Sequence, residues 1–97
     1  MKTPSQKWNA IRALAIQVRR SRDLNTDAQR ADFESIVARA TVLADDTRAT
    51  PEDRELAEHR INWEAQPAKR PAKQTGFAAT RYYFFVEASA ILADKPF

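Results

Sequence analysis

His59 is the one histidine in the chain, and Glu55 and Glu52 lie one and two turns before it if the segment is helical. An acid–acid–imidazole row is the least from which a metal site or a general acid–base pair could be built. Transition-metal sites, however, recruit more than one His or Cys, and this chain has no cysteine and no second histidine. The simpler reading is a solvated helix face with an i, i+4 contact between Glu55 and His59. Nucleophilic catalysis fares no better. The serines, at 5, 21, 35 and 89, all lie outside any Gly-x-Ser-x-Gly elbow. Paired carboxylates occur as Asp45-Asp46 and Glu52-Asp53, where helix ends explain them. A catalytic centre inside a four-helix protein needs charged residues at core spacing, such as Glu-x-x-His on two helices, and the sequence lacks that pattern. The residues therefore predict a non-enzymatic protein with no metal and no cofactor.

Cations are the next group with chemical potential. Arg12, Arg19, Arg20 and Arg22 cluster early in the chain, and Lys69, Arg70 and Lys73 form a second group. If the two groups shared a face they could meet a phosphate backbone. Charge is unevenly spread: residues 1–25 sum to +5, residues 26–55 to −4 and residues 56–97 to +2, which gives the net +3. The acidic middle opposes a nucleic-acid surface beside it, and no helix-turn-helix pattern is present. Two bland explanations compete. Arginines in a last helical turn favour the helix dipole, and a basic first helix can pack against an acidic second one.

Aromatic excess is the third signal. Residues 77–92, FAATRYYFFVEASAIL, hold five of the nine aromatics. At about 100° per residue, Phe77, Phe84, Ala88, Ile91 and Leu92 share one helical face with Phe85 beside it. Tyr82, Tyr83 and Val86 fall on the other side. Either they are wrapped by the rest of the chain, or they form a surface for another protein or a second copy of this one. Tyrosines suit such interfaces because they join large apolar area to a polar tip. The long loop just before, with Lys69, Arg70 and Lys73, is the other surface through which a partner protein could be bound.

The elements that must position these groups are helices. Eighteen alanines and a single glycine, Gly76, argue against tight hairpins and phosphate-cradling loops. A first helix over 5–23 is expected from Trp8, Ile11, Leu14, Ala15 and Val18, capped by Ser5. A second over 26–45 is the clearest, with Phe33, Ile36, Val37, Ala40, Leu43 and Ala44 in register and a Thr26–Gln29 capping box. Thr50-Pro51-Glu52-Asp53 opens a third, over 51–65, whose apolar residues Leu56, Ala57, Ile61 and Trp63 make only a weak stripe. That helix should cover the core from outside. Pro67 and Pro71 then impose a basic loop over 66–76, longer than the usual ~2–8-residue bundle connection. A fourth helix over 77–93 follows, capped by Thr75 or Gly76 and stopped by Pro96. Its stretch TRYYFFV favours strand, but a lone strand would have no pairing partner within the chain.

The fold expected is all-α, a compact four-helix bundle forming a single helical domain over 1–97 with a long basic loop before the last helix. With no apolar run near ~20 residues and no secretory-type leader, a cytoplasmic protein with no membrane partner is expected. Arginine outnumbers lysine eleven to five, a bias suited to a GC-rich bacterial, phage or plasmid source. No stretch matches a family motif. The function expected is a small regulator, adaptor or inhibitor that occludes a partner protein's surface, with nucleic-acid binding as the alternative.

Overall fold

Three helices begin at a threonine whose hydroxyl accepts from the N–H three residues on. In the computed structural model, which describes residues 2–94, these are Thr3 before α1 (Pro4–Arg19), Thr26 before α2 (Asp27–Leu43) and Thr50 before α3 (Pro51–Glu64). A single 3₁₀ turn at Pro67–Lys69 precedes α4 (Phe77–Leu92). Gly76 caps α4 without a side-chain bond, at φ 90°, a backbone state that favours glycine. The chain forms the expected four-helix bundle, and among the described residues it has no strand, so the TRYYFFV segment is helical.

Several helix ends differ from expectation. Thr3, not Ser5, caps α1: Gln6 N–H donates to the Thr3 hydroxyl, and the Gln6 amide oxygen accepts from Thr3 N–H. Ser5, freed, donates to the carbonyl of Ala44 at the end of α2. The helix also stops at Arg19 rather than 23. Continued as a helix, Leu24 would lie roughly 160° from Trp8, on the solvent side. Ending early lets Leu24 turn inward, where it is fully buried. In α2 the reciprocal arm of the capping box shifts by one residue, since Gln29 accepts from Asn25 N–H instead of Thr26 N–H. α2 ends at Leu43 and Asp45 turns out of it, accepting from both the N–H and the hydroxyl of Thr47. Those two bonds hold the Asp45 carboxyl below its usual range. The Pro96 stop signal lies outside the described residues.

α1 runs antiparallel to α2, since Ser5 at its start reaches Ala44 just past the end of α2. α2 runs antiparallel to α3, since Arg54 meets Leu43 at one end and Arg81 joins Asp32 to Glu64 at the other. Lys7 at the start of α1 donates to the Leu92 carbonyl at the end of α4, a cation closing a helix C-terminus. At the other end Thr80 of α4 donates to Asp23 just after α1. α1 packs against α2 and α4, α3 packs against α4, and α2 and α3 meet only marginally. The order around the bundle is thus α2–α1–α4–α3, with one open seam.

The core follows from that order. α1 contributes Trp8, Ile11 and Ala15, α2 contributes Phe33, Ala40 and Leu43, and α4 contributes Ala79, Phe84, Phe85, Ala88 and Leu92. Phe33 sits edge-on to Phe84 at 5.2 Å and to Phe77 at 6.2 Å between ring centres. Edge-to-face pairs of this kind add roughly 0.5–1.5 kcal/mol beyond burial. α3 buries only Ile61. The radius of gyration, 13.1 Å, matches the ~13 Å expected of a compact chain of this length.

Candidate functional site

Because α2 and α3 barely touch, the middle of the bundle is open along their seam. The opening is a groove of about 560 Å³. Its floor is core: Trp8 and Ile11 from α1, Phe84 and Phe85 from α4, and Ile61 from α3. One wall is α2, through Ser35, Ile36 and Arg39. The other is α3, through Leu56, Arg60 and Trp63. Ile36, placed in the α2 core stripe by its spacing, is only half-buried because it borders this opening.

The seam is crossed by polar groups at both ends. At the end nearest the 66–76 loop, Arg81 of α4 donates from Nε to Asp32 of α2 at 2.9 Å. Its Nη1 donates to Glu64 of α3 at 3.0 Å. Its guanidinium lies 4.8 Å from the centre of the Phe85 ring. Partial burial works against the Arg81 charge, but the two carboxylates outweigh it and hold its pKa above the ordinary value. At the far end Arg54 of α3 donates to the Leu43 carbonyl at 2.9 Å and to Asp46 at 2.8 Å. Between them Arg39 lies 4.0 Å from Asp53, the outer limit of an ion pair.

On the α3 rim stand Leu56 and Trp63, among the described residues the two large hydrophobic side chains that are mostly exposed, at 62% and 55%. They are seven residues apart, with Arg60 between them on the same flank. The Lys69 ammonium sits 4.7 Å from the centre of a Trp63 ring. Arg60 makes no ion pair among the described residues.

The residues singled out from sequence are distributed as follows. Tyr82, Tyr83 and Val86 lie on α4 away from the groove and are half-buried. Tyr82 and Tyr83 meet edge-on at 5.1 Å, and the Tyr83 hydroxyl donates to Gln74 of the loop. Tyr83 also borders a second, shallower depression with Leu14 and Val18. Arg19, Arg20 and Arg22 share an end of the bundle with Lys69, Arg70 and Lys73, since the Thr80–Asp23 bond joins the two loops' neighbourhoods. Arg12 is held apart, donating to Thr41 in the last part of α2. No ion pair among the described residues joins α1 to α2, so the charge balance expected between them is not made by direct contact. His59, Glu55 and Glu52 are all exposed, and no group of three acids or histidines among the described residues converges as a metal site. No helix among them is long and apolar enough to cross a membrane.

Two features escaped sequence reasoning. Arg81 falls four residues before Phe85 and seven before Ala88, inside the apolar face of α4. A cation in that register is a signal that a carboxylate must face it. The groove itself had a fainter signal, the weak stripe of α3. No family model matches the chain, and neither a curated protein nor a solved structure shows significant similarity to it.

Proposed function

We propose that this is a non-enzymatic protein-binding module, a regulator, adaptor or inhibitor, that covers a partner's surface with the α2–α3 groove. The observation that carries this is the pair Leu56 and Trp63, exposed on the rim of an opening that reaches the core. Large apolar side chains beside an apolar depression are what an interface needs at its centre, and Trp is over-represented among binding hot spots. The Tyr82–Tyr83–Val86 surface is the competing site on the same chain, with less apolar area free. A Leu56→Asp, Trp63→Ala variant, shown to be folded by circular dichroism, should lose at least ~2 kcal/mol of partner affinity, about 30-fold. A Tyr82→Ala, Tyr83→Ala variant should keep its partner. Recovery of the same partner from cell extract by both variants alike would overturn the groove as the binding surface.

A second reading is supported by the basic end, where Arg19, Arg20 and Arg22 share a pole with Lys69, Arg70 and Lys73. That reading makes the protein a nucleic-acid binder. Phosphate contacts are strongest at low salt, so mixed-sequence DNA and RNA titrated at about 20 mM salt is the decisive measurement. Undetectable binding there removes it.

A further inference from the structure

We infer that the occupant of the α2–α3 groove is an amphipathic helix carrying acidic residues beside its apolar stripe, an inference that rests on the protein-binding reading above. Shape is the first argument. The groove runs between two antiparallel helices, from the Arg81 clasp at one end to Arg54 at the other. α3 lines it from Leu56 to Glu64, about 12 Å of wall at ~1.5 Å per residue, a little over two helical turns. Leu56 and Trp63, seven residues apart, lie roughly 10 Å apart along that wall, matching an i, i+7 stripe on a ligand helix.

Charge is the second argument, and it selects among helices. Five charged residues line the groove: Asp32, Arg39, Arg60, Glu64 and Arg81. The two acids are both held by Arg81, which leaves Arg60 without an ionic partner among the described residues and Arg39 at the limit of reach of Asp53. Lys69 adds a third cation over Trp63. Glu52, Glu55 and Glu58 of α3 do not line the opening. The apolar rim is therefore flanked by Arg39, Arg60 and Lys69, and its complement is a helix with carboxylates on both sides of its stripe. The same charges disfavour a second copy of the chain. A two-fold contact through this seam would set one cationic rim against another.

The test is a selection from a displayed library of helical peptides randomised on all faces, with the intact chain as bait. Binding is measured at about 50 mM and 300 mM salt, and light scattering follows the chain alone. Selected peptides should carry Asp or Glu beside an i, i+3/i+4, i+7 apolar stripe. Leu56→Asp should weaken them about tenfold or more, and Arg39→Glu with Arg60→Glu by a similar factor. Peptides that depend on Leu56 but are neutral or basic overturn the inference and leave the groove as a binding site. A dimer of the chain that Leu56→Asp dissociates also overturns it, by making the second copy the occupant. If no selected peptide depends on Leu56, the protein-binding reading of the groove fails with it.

Discussion

Arg81 shows how one side chain can define a site. It stands on the core face of α4, stacked near Phe85, and reaches Asp32 on α2 and Glu64 on α3, so it ties together two helices that otherwise scarcely meet. All three side chains are about one-third exposed, which places the cluster between a surface ion pair worth ~0–1 kcal/mol and a buried one. Arg81→Met removes the guanidinium that lies over Phe85 and leaves the Asp32 and Glu64 carboxylates without their shared partner. We expect that substitution to destabilise by about 1–2 kcal/mol. Adding Asp32→Asn and Glu64→Gln removes the stranded charges, so the triple variant should regain more than half of that loss. Urea denaturation midpoints at neutral pH measure both. A triple variant no more stable than Arg81→Met alone would mean that lost attraction, rather than unpaired charge, sets the cost of removing Arg81. Glycine and proline patterns revealed nothing of this network, because sequence spacing shows which face a residue occupies but not which helix faces it.

At the scale of elements the sequence was most legible where local chemistry decides. Thr26 and Thr50-Pro51 mark helix starts because a hydroxyl at the cap and a proline in the first turn satisfy or remove orphan N–H groups. Asp45 marks a stop, for acids oppose the C-terminal dipole. It was least legible where tertiary burial overrides that chemistry. Ser5 looks like a cap as much as Thr3 does, and only Leu24's place in the core ends α1 at Arg19. Likewise the two-sided apolarity of α4 could be read from sequence, but the side left uncovered turned out to be on α3. Tyr82, Tyr83 and Val86 are half-covered, whereas Leu56 and Trp63 stand out from the surface. The turn into α4 gives a test at this scale. Gly76 has φ 90° and ψ −175°, and a Cβ there would meet nothing within 4 Å. Gly76→Ala therefore carries backbone strain alone, a loss of about 1–3 kcal/mol for a conformation that is nearly glycine-only. A thermal midpoint unchanged by the substitution would show that the 66–76 loop relaxes to another path.

The whole molecule is asymmetric in what holds it together. α1, α2 and α4 meet through a shared aromatic and aliphatic core centred on Phe33, Phe84 and Ile11. α3 gives that core one buried residue, Ile61, and is otherwise attached by a packing face on α4, the Ser89–Asn62 bond and the polar clasps of the seam. Since burial at ~25 cal/mol per Å² of apolar area is the main stabilising term, α3 should have the smallest share of the folding energy. A long connection, from the end of α3 at Glu64 to the start of α4 at Phe77, joins the two, so release of α3 constrains the remaining helices little. The prediction is sub-global opening. Native-state hydrogen exchange should show amides of α3 exchanging at a lower free energy than those of α1, α2 and α4, which should approach the global value together. Sodium chloride at about 0.5 M, where the Debye length is under ~5 Å, should lower the α3 value further by weakening the exposed parts of the clasps. The same opening would widen the groove between Ile36 and Ile61, so a ligand helix seated there should slow exchange in α3 more than elsewhere. Uniform protection of all four helices, insensitive to salt, would mean that Ile61 and its packing on α4 are enough to make α3 part of one cooperative unit, and the seam would then be a fixed groove rather than an opening one.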